Sequence, residues 1–145
     1  MRHRVIFFSR KENTKKVAES LATGARIACD PLEKHTTVTD VGILFLGSDV
    51  RGGKIAGRMR KFANGIDSTQ VKLVIPFATA KNPEAAALAI PQLKAILEPK
   101  GIKVHDEGFF CKGSGFLSNR GRPNQEDLKN AELYGAKILK EINVR

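Results

Sequence analysis

The sequence predicts a single α/β domain of three layers, in which a parallel sheet of five strands is covered by helices on both faces. Two observations support this prediction. Apolar runs of strand length alternate along the chain with stretches whose apolar residues recur at helical spacing. The strongest runs are continuous, as expected for parallel strands that are buried on both faces. A chain of 145 residues is long enough for one such domain and its core.

The first strand and the first helix form the clearest pair of elements. Residues 5–8 are predicted to form the strand, and apolar residues then recur on one helical face at Val17, Ala18, Leu21 and Ala22. Asn13 or Thr14 is expected to cap this helix, because either side chain can accept a hydrogen bond from a first-turn N–H. Gly24 is expected to end the helix in the left-handed conformation.

The other strands are predicted, in chain order, at residues 25–29, 41–47, 71–77 and 103–111. The strand at 25–29 has the weakest pattern of the four. Pro76 lies near the end of the strand at 71–77 and lacks an N–H, which suggests that ladder pairing stops there. Residues 30–39 have mixed charge and no clear period, and residues 112–122 are rich in Gly and Arg, so we predict loops at both places.

Three further helices are predicted between and after these strands. Residues 55–63 have apolar positions at helical spacing, and so do residues 84–98. Pro91 is expected to divide the second of these helices and to begin its second piece, because proline removes a helical hydrogen bond. Asn124 is expected to cap the final helix, which carries a broad apolar stripe.

The loop between the first strand and the first helix has the chemistry of an anion site. A helix start presents N–H groups without partners in the helix, at the positive end of the helix dipole. Lys15 and Lys16 would lie in the first turn, where that dipole disfavours cations unless an anion binds nearby. The alternative is a solvated helix start with unoptimised charges. Glu12 favours this alternative, because a carboxylate repels an anion.

The run Ser9-x-x-x-Asn13-Thr14 after an apolar strand resembles the phosphate-binding loop of flavodoxin-like proteins, which has the pattern (S/T)-x-T-G-N-T. Residues 46–54 are similar to the second loop of that family, and residues 110–113 and 123–131 resemble its closing segment. These segments agree with the family in order and spacing. The resemblance implies a flavodoxin-like sandwich whose five parallel strands have the order 2-1-3-4-5.

The resemblance also implies that the domain binds flavin mononucleotide (FMN) and acts in electron transfer or as a small flavin-dependent oxidoreductase. The phosphate is expected on Ser9, Asn13 and Thr14, with Lys11 adding positive charge. Ligands of such sheets bind at the carboxyl ends of the strands, where the strand order reverses. Further cofactor contacts are therefore expected in the second and third loops, at Ser48, Arg51, Gly52, Gly53, Thr79 and Ala80. No catalytic side chain is assigned.

A flavin-free binding or regulatory module of the same fold, which uses a basic rim for another anionic ligand, is the alternative function. Glu12 and Arg51 favour it, because they stand where the family has Gly and an aromatic residue. The formal net charge of +10 suits anionic ligands and an acidic redox partner protein. A nucleic-acid binder is disfavoured, because the charge is scattered and few aromatic side chains could stack on bases.

The remaining candidates for chemistry are isolated residues. Cys29 and Cys111 are expected to be buried small hydrophobes, with no disulfide and no metal site. The histidines are expected to be surface residues rather than catalysts, at His3, His35 and His105. Asp49 is expected to bond the amides of its own turn. Neither a membrane span nor a signal peptide is predicted, so we expect a cytoplasmic protein.

Overall fold

The computed structural model describes residues 2–115 and 118–143. Its strands are β1 (Arg2–Phe8), β2 (Ala28–Pro31), β3 (Val41–Arg51), β4 (Lys54–Ile55), β5 (Val71–Ala80), β6 (Lys103–Val104) and β7 (Phe109–Lys112). Its helices are α1 (Glu12–Ala25), α2 (Gly57–Asn64), α3 (Pro83–Ala86), α4 (Ala89–Leu97) and α5 (Gln125–Asn143). Two residues of the predicted loop at 112–122, 116 and 117, lie outside the described residues.

The sheet has five positions across its width, in the order β2-β1-β3-β5-β6. These neighbours are all parallel. β7 pairs with β5 beyond β6, so the predicted fifth strand is divided into two short strands along one edge. β4 pairs antiparallel with the end of β3. The predicted class and strand order are confirmed, and the sheet contains seven strands rather than five because of β4 and the divided edge.

Two separate apolar clusters hold helices on the two faces of the sheet. Alternate residues of a strand point to opposite faces. Phe45 accordingly lies in the cluster formed with α1 and α5, and its neighbour Leu44 lies in the cluster formed with α2 and α4. The long continuous runs of the sequence are therefore explained by burial on both faces.

α1 and α5 approach each other closely at Gly24. A Cβ atom at this position would lie 1.8 Å from the backbone carbonyl oxygen of Glu132 in α5. The prediction that Gly24 ends α1 is wrong, because the helix continues to Ala25 and Arg26 adopts the left-handed conformation (φ 58°). Gly24 is required for the contact between the helices rather than for a turn. Because α1 is longer than predicted, β2 lies at Ala28–Pro31 instead of residues 25–29.

Pairing of β5 with β3 continues past Pro76, contrary to the sequence-based prediction. The carbonyl oxygen of Pro76 faces Gly108, in the segment between β6 and β7 that forms no ladder pairs with β5. N–H and C=O groups of one strand residue point to the same side, so the missing N–H falls in this gap. β5 therefore reaches Ala80 and carries Thr79 and Ala80 into the rim of the sheet.

The helix predicted at residues 84–98 is divided, as expected, but not at Pro91. α3 ends at Ala86 and α4 begins at Ala89, so that Pro91 is the third residue of α4. Its missing N–H belongs to the first turn, where the helix has no use for it. α2 begins at Gly57, because Ile55 belongs to β4. Among the described helices, none is both long and apolar enough to cross a membrane.

Candidate functional site

The start of α1 has no side-chain cap among the described residues. Lys11 is the N-cap residue, with extended backbone (φ −121°, ψ −173°), and the helix begins at Glu12. Asn13 and Thr14 lie inside the first turn, so the prediction that either of them caps the helix is wrong. Both side chains make tertiary hydrogen bonds instead. First-turn N–H groups of α1 are therefore left for an external acceptor.

Thr14 and Thr79 share a buried hydrogen bond. Their Oγ1 atoms lie 2.9 Å apart, and the two residues are 0% and 1% exposed. This contact joins the first turn of α1 to the end of β5. Only one of the two hydroxyls uses its hydrogen in the pair, so the other hydrogen can be donated to a further acceptor.

Asn13 joins α1 to the loop after β7. Its Nδ2 atom donates to the carbonyl oxygen of Ser114 at 2.9 Å, and the Oγ atom of Ser114 donates to Asn13 Oδ1 at 2.9 Å. Gly113 packs against the same side chain, since a Cβ there would lie 2.8 Å from Asn13 Nδ2. Asn13 is therefore largely occupied in fixing this loop. Ser9 shapes the first loop in a similar way, because its Oγ atom donates to the carbonyl oxygen of Lys11.

The predicted second loop is a β-hairpin. β3 continues to Arg51, and Gly52 and Gly53 form the two-residue turn to β4 with φ values of 57° and 76°. Positive φ at both turn positions is the geometry that favours glycine. α4 supports the hairpin, because Gln92 Nε2 donates to the carbonyl oxygen of Gly53 at 2.8 Å. Ser48 lies beneath the hairpin, where its Oγ atom accepts from Ala56 N at 3.0 Å.

Asp49 links two arginines at the base of the hairpin. Its Oδ2 atom lies 3.3 Å from Arg10 Nη1 and 3.1 Å from Arg51 Nε. The expectation that Asp49 bonds the amides of its turn is wrong, because the strand continues and leaves no turn there. Its other oxygen, Oδ1, is buried without a hydrogen-bond partner among the described residues. Arg51 is thus held by Asp49, with half of its side chain exposed.

All of the predicted site residues except Ser48 line one cavity of about 460 Å³. The cavity lies at the carboxyl ends of β1, β3, β5 and β7, and its volume is within the usual range for small-molecule sites. Glu12 is not among its described lining residues; its carboxylate lies 3.8 Å from Lys15 Nζ instead. The expected repulsion between the Glu12 carboxylate and a bound anion is therefore reduced, because Glu12 lies outside the cavity lining and next to Lys15.

Several lining residues were not among the predicted cofactor contacts. Asp49, Lys81, Ser114 and Ser118 belong to this group. Ser114 and Ser118 follow the last strand, so the rule that ligands bind at the carboxyl ends of strands could have indicated them. The loop that carries them is held by Arg122, whose carbonyl oxygen accepts from Ser114 N at 2.7 Å and whose guanidinium bonds the Asp127 carboxylate at 2.6 and 2.9 Å.

Asp127 also forms a reciprocal cap at the start of α5. Asn124 Oδ1 accepts from Asp127 N at 2.9 Å, and Asp127 Oδ2 accepts from Asn124 N at 2.8 Å, which confirms the predicted cap. The hydrogen bonds from Arg122 hold the pKa of the Asp127 carboxyl below its usual range. The loop beside the cavity is therefore tied to a charged pair whose strength depends on pH.

A larger cavity, of about 610 Å³, lies on the face of the sheet that α2 covers, between α2 and the connection from β2 to β3. It contains none of the predicted site residues. We place the candidate cofactor site in the smaller cavity, because that cavity lies at the point where the strand order reverses and next to an uncapped helix start.

The cysteines and histidines singled out in the sequence are not among the smaller cavity's described lining residues. His3 Nδ1 accepts from Ile43 N at 3.0 Å, and burial lowers its pKa, so it is a half-buried structural residue rather than a surface one. Cys111 is buried and Cys29 is only half-buried, and burial raises their thiol pKa values to about 12 and about 11. Among the described residues, no group of three or more His, Cys, Asp or Glu side chains is arranged to hold a metal ion.

No family model matches the chain. The chain is 28% identical over 139 residues to the uncharacterized protein MJ0298 of Methanocaldococcus jannaschii, and the match covers 89% of this chain and 91% of that protein. Its structure is similar to that of a flavodoxin from the domain Archaea, with a TM-score of 0.76, 19% identity and 99% of each chain covered. The chain has the flavodoxin-like fold. The flavodoxin-like resemblance is thus confirmed at the level of the fold.

A second flavodoxin-like structure similar to this chain is the apo form of the NADH:FMN oxidoreductase EMOB. The TM-score is 0.67 and the identity 15%, over 94% of this chain and 89% of that one. At such identities the similarity describes the fold and leaves the ligand to be argued from the site itself.

The smaller cavity has anion donors at one end and glycine backbone at the other, a combination that suits FMN. Anion donors come from the first turn of α1, from a hydroxyl of the Thr14–Thr79 pair and from Lys11. At the opposite end of the cavity, Gly52 and Gly53 of the hairpin present backbone atoms, and they have no Cβ atoms that would narrow the cavity. No aromatic side chain is among the described lining residues, so a ring would meet backbone and the Arg51 guanidinium rather than a stacked aromatic residue.

Proposed function

We propose that this flavodoxin-like domain binds FMN non-covalently and transfers electrons, as a carrier or as a small flavin-dependent oxidoreductase. The observation that carries the proposal is the 460 Å³ cavity at the switch point of the sheet, which is bordered by the uncapped start of α1. FMN supplies one- and two-electron transfer when bound, and the protein sets its orientation, access and charge environment.

The start of α1 is the proposed phosphate site. First-turn N–H groups and the helix dipole favour a doubly charged phosphate there. Thr14 or Thr79 would donate its free hydroxyl hydrogen, and Lys11 would add charge without a fixed hydrogen-bond geometry. Asn13 would act indirectly, by holding the Ser114 loop against the site.

The hairpin and the end of β5 are the proposed ring site. Gly52, Gly53 and Ala80 would present backbone, and Arg51 would lie at the edge held by Asp49. Arg10 and Arg51 together with Asp49 have a net charge of +1, which favours a negatively charged reduced ring over a neutral oxidised one. Arg51→Gln should therefore lower the reduction potential of bound flavin by a few tens of millivolts, since a tenfold change in a one-electron equilibrium is about 59 mV.

An acidic redox protein is the proposed electron-transfer partner. The formal net charge of +10 would attract it and speed its encounter at low ionic strength. Electron transfer to such a protein should slow as salt is added, because exposed charges are screened beyond about 10 Å at 0.1 M salt.

Flavin binding by the purified chain tests the proposal. We expect yellow protein, or colourless protein that takes up added FMN, with about one equivalent of flavin released on denaturation. Lys11→Ala should weaken FMN binding about fivefold and leave riboflavin binding unchanged, because riboflavin lacks the phosphate. Lys16→Ala is the matched control, since Lys16 is an exposed lysine five residues further along, near the start of α1, and does not line the cavity. A chain that binds no added FMN would refute the proposal.

A flavin-free module that binds another anion is the second candidate function. It is favoured by the Arg51–Asp49 ion pair at the place of a stacking aromatic residue, and by the occupation of Asn13 with Ser114. This candidate predicts that inorganic phosphate or a nucleotide without flavin raises the unfolding temperature of the chain, whereas FMN does so no more than free phosphate.

A further inference from the structure

The connection from β2 to β3 carries no helix. It runs through residues 32–40 between Pro31 and Val41, whereas the connections from β1 to β2, from β3 to β5 and from β5 to β6 each contain a helix. Parallel strands are usually joined by a helical crossover that covers the sheet. Here the short connection leaves a groove between itself and α2, which contains the cavity of about 610 Å³.

The wall that the β2–β3 connection forms is fixed by hydrogen bonds, and the other wall is helix α2. Arg4 of β1 donates through Nη1 to the carbonyl oxygen of Thr37 at 2.8 Å, and Leu32 N donates to the carbonyl oxygen of Phe7 at 2.7 Å. Asp40 N donates to Gln70 Oε1 at 2.9 Å, which secures the far end of the connection. The groove is therefore preformed, as small-molecule sites usually are.

The interior of the groove is apolar. Leu32, Val38 and Phe62 are partly buried and pack against the core cluster that α2 and α4 share, and Ile66 is buried at the base of α2. A ligand that removes the rest of this apolar surface from water would lower the free energy of the complex. An apolar body of small-molecule size is the occupant that this interior favours.

Three cations surround the apolar interior. Lys34, Arg58 and Lys61 line the cavity, and none of them forms an ion pair with another described residue. The Arg58 guanidinium lies over the ring of Phe8, 5.7 Å from its centroid, which limits its orientation.

Two carboxylates also line the groove, and they leave it a net charge of +1. Asp67 already accepts hydrogen bonds from Thr69 N at 2.9 Å and from Thr69 Oγ1 at 2.8 Å, which hold its pKa below the usual range. Its charge is thus partly compensated within its own turn. Glu33 is exposed on the connection. Neither carboxylate forms an ion pair with a described residue, so the three cations outnumber the two carboxylates and the groove has an excess of positive charge.

We propose that this groove is a second binding site, which takes a small amphipathic anion: an organic carboxylate or sulfonate with an apolar body. The apolar body would lie on Leu32, Val38 and Phe62, and the anionic group would lie between Arg58 and the two lysines. The site shares no lining residue with the proposed FMN cavity, so it does not depend on the proposed function.

Anilinonaphthalene sulfonate is a suitable probe, because it is an aromatic anion whose fluorescence rises in apolar sites. We expect one equivalent to bind the folded chain, decanoate to displace the probe, and added salt to weaken its binding. Arg58→Gln with Lys61→Gln should weaken binding roughly tenfold without changing the urea unfolding midpoint. Lys129→Gln with Lys140→Gln, on α5 at the opposite face, is the matched control and should leave affinity unchanged.

Three results would overturn the proposal. The first is the absence of stoichiometric probe binding. The second is equal binding by the Arg58 and Lys61 double variant and by its α5 control. The third is a chain that is dimeric by light scattering and releases monomer when the probe binds, because a second copy would then be the normal cover of this face. Saturation with FMN should leave probe binding unchanged, since the two cavities are separate.

Discussion

Variants of the Thr14–Thr79 hydrogen bond can separate its contribution to folding stability from its proposed contribution to binding of the FMN phosphate. Thr14→Val removes one hydroxyl from a buried pair whose oxygens are 2.9 Å apart and leaves Thr79 without its partner at 1% exposure. A buried polar group that loses its partner costs about 1–3 kcal/mol. Replacing both threonines by valine removes the orphaned hydroxyl together with its partner, and such double replacements can be nearly neutral.

Urea unfolding of the ligand-free protein tests this prediction by measuring the free energy of unfolding. The single variants should each lose about 1–3 kcal/mol of unfolding free energy, and the double variant should lose less than the sum of the two. FMN affinity should behave differently. A hydroxyl that bonds phosphate contributes about 1.5–3 kcal/mol, so the double variant should bind FMN roughly 10- to 100-fold more weakly while riboflavin binding stays the same.

The two readouts refute different parts of the reasoning. Additive losses in stability would show that the two hydroxyls are not coupled in the folded chain. Equal losses of FMN and riboflavin affinity would show that the pair shapes the cavity without contacting phosphate. Unchanged FMN affinity in the double variant would remove both hydroxyls from the proposed phosphate site.

Three further predictions concern the frame around the site. The Arg122–Asp127 pair lowers the folded-state pKa of Asp127, so the stability that this pair contributes is present above the unfolded pKa of about 3.9 and is lost as pH falls through the lower folded value. Urea unfolding between pH 2 and 7 should show this loss in the unaltered chain and a smaller loss in Asp127→Asn. Gly24→Ala places a methyl group against the backbone of α5 and should destabilise by about 1–3 kcal/mol or more in thermal unfolding, whereas Gly57→Ala, with nothing within 4 Å, should change little. The Cys111 thiol, with its pKa raised to about 12 by burial, should react with iodoacetamide at pH 8 only after unfolding; the reaction is followed in Cys29→Ser, because Cys29 is only half-buried, and rapid labelling of this folded variant would contradict the burial of Cys111.

The main features of the fold followed from the sequence because they depend on local pattern. A continuous apolar run at residues 41–47 and a second one at 71–77, interrupted only by Lys72 and Pro76, indicated strands covered on both faces, and the helical spacing between them required parallel crossovers. Strand ends were harder to predict. β3 and β5 extend through polar residues and past Pro76, because their neighbours in the sheet supply hydrogen bonds that no local pattern reveals.

The candidate site divides in the same way. Chain order and the rule for the carboxyl ends of strands predict that Thr14, Arg51 and Thr79 share one rim, and these residues do line one cavity. Their roles as cofactor contacts remain predictions. The sequence by itself determined which loops meet, since strand order fixes that. Only the tertiary structure decided which side chains already have hydrogen-bond partners. Asp49 bonds Arg10 across 39 residues of sequence and Asn13 bonds Ser114 across 101, and such contacts depend on distances that only the packed chain defines.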